Sequence, residues 1–411
     1  MSKPYLITGI DIGNSTVKTV IAEINREIMR PQVLGVGSAP SNGMRRGMVF
    51  DMEETTKNIH DSLGVAEAMA GAKIHQAYIS INGLHIRTQS SRGVIIVSRA
   101  DNEITQNDIN RVLDASSTIN LPPNRELLHV LPRNFTIDAQ EHVKNALGMK
   151  GVRLEAEVLL IDGLSQYIRN VTKCVNANDV EVLDRVFAPL AASRSILNKH
   201  QREDGVLSVD FGGGVSSIAL FHEGELVHTA TLPIGSKHIT YDIAVAFRTS
   251  IDRAEEIKCR YGSLDQNAGN KKDQIALEVS GEKDSPLTHK QVAKIIDSRV
   301  SELFELISAE IKKLPRQYHL PAGVVLAGGG ANLDGLENFT KNWLKLATTR
   351  AEDGLLEGLS DQISDPSFAV ATGLVAWGFE KEFSDNKQML SGRLSSDGIK
   401  KVGKWFKNFL P

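Results

Sequence analysis

The sequence predicts an α/β protein of two similar domains, with a small α+β module inserted in the first and an amphipathic helix at the end. A β-rich run, an Asp, a Gly-containing turn and a second β-rich run occupy residues 5–24 and again 205–221. At one constant offset Asp11 coincides with Asp210, and Gly13 with Gly212. Each unit has the pattern of a β-hairpin. A repeat in register favours two related domains that each offer a turn to one shared ligand.

A third glycine cluster follows a strand-like run at 322–327. Glycines 328–330 lead into a predicted helix that contains Leu333, Leu336 and Phe339. A strand, glycines and a helix start present backbone N–H groups and the positive end of a helix dipole, which suit an anion. No Gly-Lys-Ser/Thr follows these glycines, so the segment is not a Walker A loop.

Composition is that of an ordinary soluble globular protein, with 411 residues, 41% hydrophobic and 24% charged. That length allows two to three domains. A net charge of −3 gives no basic field for nucleic acid. Cys174 and Cys259 have no metal-ligand spacing, and we interpret them as reduced, inert thiols.

No secretory signal is recognisable in MSKPYLITGI, and no apolar window is long enough to span a bilayer. These two observations predict a cytoplasmic protein that touches a membrane only from the side.

The domain plan places the first domain at 1–82, completed by 163–204 and 360–380, and the second at 205–359, with an outer lobe at about 243–316. The module occupies 83–162, where Thr105 to Asp108 predict a capped helix bearing Ile109, Val112 and Leu113, and 152–158 alternates like a half-buried strand. Residues 263–288 are predicted to form a loop and hairpin on the second domain's rim. Residues 381–397 are predicted to be a flexible linker.

The two glycine turns can wrap a polyphosphate, because Gly lets main-chain N–H groups approach closely. Asp11 and Asp210 would then hold Mg²⁺ through its waters, since a carboxylate does not bind phosphate directly. Lys18, on the second strand of the first hairpin, would reach a β- or γ-phosphate. The alternative for Lys18 is a solvated strand lysine.

The segments DIGNSTVK, VDFGGGVSS and VVLAGGGANLDGL match, in order and spacing, the phosphate and adenosine motifs of the actin/Hsp70/sugar-kinase ATPase superfamily. Within it the chain resembles the FtsA family of bacterial actin-like cell-division proteins over essentially its whole length. The stretches GVGSAPSNGMRRGMVFDME, LHVLPRNFTIDAQE, GVRLEAEVLLI and AEEIKCRYG carry this resemblance, together with the amphipathic end. It implies a duplicated actin-like (ribonuclease H-like) ATP clamp in which 83–162 replaces an actin subdomain.

The resemblance implies ATP or ADP with Mg²⁺ as the ligand, and assigns the following residues to it: Asp11, Gly13, Asn14, Ser15, Lys18, Asp210, Gly212, Gly213, Gly214, Gly235, Glu255, Lys258, Gly328, Gly329, Gly330 and Asn332. For Glu255 and Lys258 the alternative is an ordinary helix-surface ion pair.

Departures from the superfamily pattern predict slow or negligible hydrolysis. Ala188 stands where relatives carry a Glu before Pro, and Val215 and Ser217 stand where relatives carry a hydroxyl and a carboxylate. Such groups position the attacking water. No catalytic residue is therefore assigned, and ATP is predicted to act mainly as a ligand that holds two domains closed.

Partners also come from the resemblance. It implies head-to-tail filaments of the chain itself and docking of the FtsZ C-terminal peptide near 294–306, with Arg299 and Glu302 in contact. The alternative there is a surface helix whose apolar side faces the core. The inserted module would contact later divisome proteins such as FtsN, and the protein would lie at the division site on the cytoplasmic side of the inner membrane.

The C-terminal end, 398–411, places apolar side chains on one helical face with lysines beside them. Too short to span, it is predicted to lie in the plane of an anionic membrane. Core docking is the alternative. The predicted membrane-binding residues are Ile399, Lys400, Lys401, Val402, Lys404, Trp405, Phe406, Lys407, Phe409 and Leu410.

Two other functions share the ATP motifs, namely a kinase of the same superfamily and a pilus-assembly actin-like adaptor. A kinase needs a carboxylate base beside its acceptor, and no clear candidate stands out. Neither alternative requires a basic amphipathic end after a linker, so the end of the chain favours a membrane adaptor.

Overall fold

The computed structural model describes residues 5–25, 30–118, 121–265, 274–275, 287–315, 318–352 and 356–390. Within them the chain forms two five-stranded sheets, a four-stranded sheet and two short two-stranded ribbons. The predicted α/β class, with two similar domains and an inserted module, is confirmed by these sheets.

The chain begins with the predicted hairpin, in which Asp11 lies opposite Lys18. The first helix starts at Asp51, whose side chain accepts the Glu54 amide, and ends at Gly71 in a left-handed conformation. The elements of this stretch are β1 (Leu6–Ile12), β2 (Thr16–Asn25), β3 (Arg30–Pro40), β4 (Met44–Arg45), β5 (Met48–Val49), α1 (Met52–Ala70) and β6 (Gln76–Ile81).

The inserted module is a four-stranded antiparallel sheet with one helix packed on it. The predicted capping box forms, since the Asp108 carboxylate accepts from the Thr105 amide at 3.0 Å and hydroxyl at 2.6 Å. Its elements are β7 (Arg87–Ile96), α2 (Gln106–Ser117), β8 (Arg125–Ile137), β9 (Gln140–Val143) and β10 (Arg153–Leu164).

The strand predicted at 152–158 exists, but the alternation is wrong at Glu155. This carboxylate is 4% exposed and pairs with Arg92 and Arg153. Flanking arginines cover the polar face of the sheet there, which a period of two along one strand does not reveal.

The chain then returns to the first domain through α3 (Ser165–Asn176), β11 (Glu181–Phe187), α4 (Ala188–Ile196) and α5 (Lys199–Asp204). The first sheet has the order β11-β6-β1-β2-β3. Residues far apart in sequence therefore supply neighbouring strands, and the ends of β1, β6 and β11 lie side by side.

The second domain repeats this plan in a second five-stranded sheet, whose strands lie in the order Glu225–Leu232, Ser216–His222, Val206–Phe211, Val324–Ala327 and Thr348–Arg350. Within the predicted loop and hairpin at 263–288, Gln274–Ile275 pairs antiparallel with Leu287–Thr288, as a hairpin requires. The elements are β12 (Val206–Phe211), β13 (Ser216–His222), β14 (Glu225–Leu232), α6 (Ser236–Ala246), α7 (Ile251–Tyr261), β15 (Gln274–Ile275), β16 (Leu287–Thr288), α8 (His289–Lys312), β17 (Val324–Ala327), α9 (Leu336–Leu344) and β18 (Thr348–Arg350).

The helix predicted after the third glycine cluster is displaced. A 3₁₀ helix covers Gly329–Asn332, and α9 begins only at Leu336. Gly335 has φ 79°, a left-handed conformation that interrupts a continuous helix. Leu333 therefore lies between two helices instead of inside one.

The last elements return to the first domain as α10 (Ser360–Ile363), a 3₁₀ helix (Pro366–Phe368) and α11 (Ala369–Leu390). Helices α4 and α11 cross closely, because a Cβ on Gly373 would lie 1.9 Å from the Ala191 carbonyl oxygen. Both contribute to one core with residues of the two five-stranded sheets.

Helix α11 also corrects the predicted linker. It continues to Leu390, so 381–390 are helical, and the Lys381 ammonium lies 2.8 Å from the Asp184 carboxylate. That contact anchors the helix where the sequence shows no apolar period. Residues 391–397 and the predicted amphipathic helix lie outside the described residues. In the part that is described, no helix combines the length and apolarity needed to cross a bilayer.

Candidate functional site

Two hairpin turns of the same design meet between the domains. The Gly13 amide donates to the Thr16 carbonyl at 3.1 Å. A Cβ on Gly13 would lie 2.7 Å from that carbonyl oxygen, and one on Gly212 would lie 2.8 Å from the Val215 carbonyl oxygen. Both turns therefore require glycine at the same place, as the repeat in the sequence predicts.

The two turns also contact each other across the cleft. A Cβ on Gly213 would lie 2.0 Å from Ser15 Oγ, and one on Gly214 would lie 2.7 Å from Asn14 Cγ. From α6, Lys237 Nζ donates to the Asn14 carbonyl oxygen at 2.7 Å. The glycines of the second turn thus let the two domains approach to van der Waals contact.

The third glycine segment closes the other side of the cleft. Gly328 has φ 80°, and a Cβ there would lie 2.3 Å from Asp210 Oδ1. Its amide donates to the Pro366 carbonyl at 2.9 Å. A Cβ on Gly330 would lie 2.4 Å from the Phe211 ring. These glycines allow the segment to lie directly against the end of β12.

Together the three segments surround a cavity of about 520 Å³, within the size range of small-molecule and cofactor sites. The cavity is lined by these residues assigned from the sequence: Asp11, Gly13, Asn14, Ser15, Lys18, Asp210, Gly212, Gly213, Glu255, Lys258, Gly328, Gly329, Gly330 and Asn332. Gly214 and Gly235 do not line it. A Cβ on Gly235 would lie 2.4 Å from the Gly213 carbonyl oxygen, so Gly235 supports the turn from behind.

The charged side chains of the site share one buried cluster. Burial raises the pKa of Asp11, which the Lys18 charge and a 2.7 Å hydrogen bond from Ser80 oppose. Burial and the Asp11 charge raise the pKa of Asp210 to about 7, against the opposing effect of Lys18. Two carboxylates with raised pKa values beside one ammonium leave the cluster receptive to a further cation.

Lys18 is not the solvated strand lysine that the sequence left open. Its side chain is buried, and Nζ donates to Thr16 Oγ1 at 2.6 Å. Burial lowers its pKa, while the charges of Asp11, Asp365 and Asp210 oppose that change. The Lys18 amine therefore lies inside the cavity, where the charges of Asp11, Asp210 and Asp365 act on it.

The donor set decides which cation fits. No group of three or more His, Cys, Asp or Glu side chains suited to a metal occurs in the described part of the chain. Mg²⁺ typically keeps several waters and binds one or two carboxylates together with substrate phosphates. Asp11 and Asp210 fit that role, and they do not form an all-protein cage.

At the outer-lobe side, Lys258 Nζ lies 2.7 Å from Glu255 Oε2 and 2.9 Å from Thr240 Oγ1. The helix-surface ion pair thus forms, and both of its members also line the cavity. The sequence offered two interpretations of Glu255 and Lys258, a nucleotide-binding role and a helix-surface ion pair, and this geometry is compatible with both.

The three departures from the superfamily pattern also lie at the site. Ala188, the first residue of α4, and Val215 line the cavity. Ser217 is 1% exposed and bonds to Asn82. None of the three supplies a carboxylate to orient a water.

Sequence reasoning missed Ser80, Asn82 and Asp365. Ser80 lies in β6 and Asn82 immediately follows it, and nothing in the sequence says that β6 pairs beside β1. The Asp365 carboxylate accepts from Asn332 Nδ2 at 3.0 Å. Asn332 therefore joins the second domain to the segment before α11 as well as lining the cavity.

Arg299 and Glu302 lie on α8, outside the cavity lining. Arg299 binds Asp242 of α6 through two hydrogen bonds of 2.7 and 2.8 Å, and also pairs with Glu302. Arg299 thus ties α8 to α6, and Glu302 remains the more exposed of the two.

Comparison with known proteins identifies the family. The family model for the SHS2 domain inserted in FtsA matches residues 83–162, and that for Cell division protein FtsA matches residues 207–373. The chain is 35% identical to the cell division protein FtsA of Pseudomonas aeruginosa, over 94% of this chain and 92% of that protein. The chain belongs to the FtsA family of cell-division proteins. FtsA of Escherichia coli is 33% identical, over 98% of this chain and 97% of that protein.

Solved structures show that this FtsA family member has the actin-like fold. The PilM-PilN type IV pilus biogenesis complex matches 91% of this chain and 98% of that chain, with a TM-score of 0.66 and 17% identity. MreB5 of Spiroplasma citri bound to ADP matches 93% of this chain and 98% of that chain, with a TM-score of 0.56 and 14% identity. These likenesses show the two-domain fold, and the family model over residues 83–162 shows the inserted SHS2 domain.

Proposed function

We propose that this FtsA family member binds Mg-ATP or Mg-ADP in its interdomain cavity and uses the nucleotide mainly to hold its two domains closed. The observation that carries the proposal is the meeting of three glycine segments around a cavity that contains Asp11, Asp210 and Lys18. Structures of MreB5 with ADP and with AMPPNP, which share the fold, support a nucleotide as the ligand.

Each group has a definite task in this proposal. Backbone amides of Ser15, Gly212 and Gly213 would face the phosphates, because no side chain at the glycines blocks their approach. Asp11 and Asp210 would hold the waters of Mg²⁺, which supplies charge neutralisation for the phosphates when bound. Lys18 would pair with a terminal phosphate oxygen.

The nucleoside end would lie between α7 and the third glycine segment. Glu255 and Lys258 are polar groups suited to the ribose or base, and glycines 328–330 line the same cavity without side chains. Isothermal titration of Mg-ATP and Mg-ADP into the protein tests the site, and Asp210→Ala should bind both nucleotides more weakly. Unchanged affinity in that variant would place the nucleotide elsewhere.

Hydrolysis is expected to be slow, because Ala188 puts a methyl group where superfamily relatives position water with an acid. Ala188→Glu should raise the steady-state rate of phosphate release by about tenfold or more, since a positioned base commonly contributes at least that much. Ala188→Gln is the matched control for side-chain size. Rapid phosphate release by the unaltered protein would contradict the proposal.

The family supports a wider role at the septum. We propose that the protein polymerises head to tail, binds the C-terminal peptide of FtsZ on its outer lobe and recruits later divisome proteins such as FtsN through the SHS2 domain. The double helical filament of MamK, whose fold is similar, supports self-association as an actin-like cytoskeletal filament. At the FtsZ contact, Glu302 would be the accessible member, because Arg299 is already bound to Asp242.

Residues 398–411 would bind the protein peripherally to the cytoplasmic face of the inner membrane. Lysines near anionic lipid add roughly 1 kcal/mol each, and a filament would multiply one weak anchor. Pelleting with anionic liposomes should retain the full chain and lose both the chain without 398–411 and the Trp405→Glu variant. Loss of nucleotide binding in Trp405→Glu would instead favour docking of this segment on the core.

A further inference from the structure

Asn82 is the polar side chain at the base of the cleft that the nucleotide proposal leaves without a task. It lines the cavity beside Ala188 and immediately follows β6, the strand whose Ser80 binds Asp11. It is also the last residue before the inserted SHS2 domain. The side chain therefore stands where the first domain, the inserted domain and the cleft meet.

The hydrogen bonds of Asn82 cross from the first domain to the second. Ser217 Oγ lies 3.0 Å from Asn82 Nδ2 and 3.3 Å from Oδ1. Thr231 Oγ1 donates to Asn82 Oδ1 at 3.2 Å. Ser217 and Thr231 are direct neighbours on β13 and β14, so the amide contacts two adjacent strands at once.

The chemistry of an amide suits this position. Asn82 Oδ1 also accepts its neighbour's amide, Gly83 N, at 2.8 Å, which fixes the orientation of the side chain. An amide can both donate and accept, whereas a carboxylate can only accept and would add charge near Asp210. With its oxygen already engaged by donors, Asn82 is not placed to act as a base towards water.

Opening of the cleft must break these bonds. At the turns, the Lys237 ammonium makes a further bond between the domains, to the Asn14 carbonyl. A ligand held between the turns contacts both domains, and separation of the domains removes those contacts. The contact at Asn82 opposes that separation and would therefore slow release.

We infer that Asn82, through Ser217 and Thr231, is a positioning residue that latches the two domains and slows the release of nucleotide. This inference rests on the proposed nucleotide site. In this inference Asn82, which follows β6, affects how long the nucleotide stays bound without contacting the nucleotide itself. Asn82 also directly precedes the SHS2 domain, so this effect would arise where that domain joins the first domain.

The test is a double-mutant cycle on nucleotide release. Stopped-flow displacement of a fluorescent N-methylanthraniloyl-ATP from the full chain gives the dissociation rate for the unaltered protein, Asn82→Ala, Ser217→Ala and the double variant. Each single variant should release the nucleotide about threefold to tenfold faster, as expected for loss of buried hydrogen bonds. The double variant should be no faster than Asn82→Ala, because both substitutions remove one contact.

Two controls separate a latch from a general structural role. Ser116→Ala removes a buried hydroxyl that bonds within the SHS2 domain, to Val112 and Ala156, and should leave the release rate unchanged. Additive effects of the two cleft substitutions, or equal acceleration by Ser116→Ala, would overturn the latch. So would an unchanged rate in Asn82→Ala.

Failure of the nucleotide site is distinguishable from failure of the latch. If the unaltered protein binds no fluorescent nucleotide, the proposed function is wrong. Small-angle X-ray scattering of the nucleotide-free protein then tests whether Asn82 and Ser217 hold the two domains together. Asn82→Ala and Ser217→Ala should each have a larger radius of gyration than the unaltered protein and Ser116→Ala. Equal radii in that experiment would reject the latch.

Discussion

The two phosphate-type turns have the same backbone plan but different neighbours across the hairpin. Asp11 faces Lys18 on the adjacent strand, and at the same register Asp210 faces Ser217. The first carboxylate thus has a cation in its own hairpin, whereas the second has a hydroxyl that binds Asn82. Burial raises the pKa of both carboxylates, that of Asp210 to about 7, and the Lys18 charge opposes the change at each of them.

The comparison shows that the two copies of the duplicated hairpin can have different roles. In the first turn, a carboxylate and an amine lie opposite each other across the hairpin, and both line the cavity. In the second, the equivalent position connects the domains. Repetition of the backbone supplies the symmetry of the cleft, and the unlike residues at the position opposite each Asp make the two halves interdependent.

Removal of the cation should have the largest effect. Lys18→Met leaves Asp11 and Asp210 without the ammonium between them and removes a charged bond to phosphate, so Mg-ATP affinity should fall about a hundredfold. Titration calorimetry measures the affinity, and a thermal melt verifies folding. Lys57→Met, at an exposed lysine of α1, is the matched control. Equal affinity in Lys18→Met would show that the two turns are not divided in this way.

A steric clash between the two turns should lower the nucleotide affinity by a smaller factor. Gly213→Ala would place a methyl group against Ser15, where a Cβ lies 2.0 Å from Oγ and 2.9 Å from Cβ. Crowding of this kind costs about 2 kcal/mol, which corresponds to about a thirtyfold loss of nucleotide affinity. Ser15→Gly in the same chain removes both clashing atoms and should restore most of the loss. A lack of rescue would mean that the methyl group acts on its own turn instead of on the facing one.

Of the three predicted effects on Mg-ATP affinity, that of pH should be the smallest. Asp210 has a folded pKa of about 7, above its ordinary value of 3.8, so below pH 7 the nucleotide-free protein holds a proton there. Mg²⁺ favours the ionised carboxylate, so Mg-ATP affinity should rise with pH by at most about tenfold per unit up to about pH 7 and then level off. The stability contributed by this proton is present at low pH and is lost as pH rises through the folded pKa.

Asp210→Asn supplies the control for that titration. Its remaining pH dependence reports the nucleotide's own phosphates, and subtraction isolates the contribution of the carboxylate. If Mg-ATP affinity depends on pH in the same way in the unaltered protein and in Asp210→Asn, Asp210 does not titrate near neutrality. The pH dependence would then come from the nucleotide alone.

Local pattern was a good guide to some elements and a poor one to others. The hairpins and the capping box at Thr105 follow from spacing within a few residues, and the structure has them where the sequence predicts. The helix after glycines 328–330 is displaced because Gly335 adopts a left-handed conformation. The segment 381–390 is helical in the structure, although the sequence predicts a linker there. Its first residue, Lys381, is anchored by Asp184, which is far away in the sequence, so no local pattern indicates this contact.

The sequence by itself determined the duplication, the three glycine segments and the family, because each depends on residue types at fixed spacing along one chain. It also determined that Ala188, Val215 and Ser217 replace polar groups of the superfamily. Only the tertiary structure decided that Lys18 is buried among carboxylates, that Asn332 binds Asp365 and that Asn82 joins the domains. Those facts depend on which strand ends lie side by side, and pairing between distant strands leaves no local signal in the sequence.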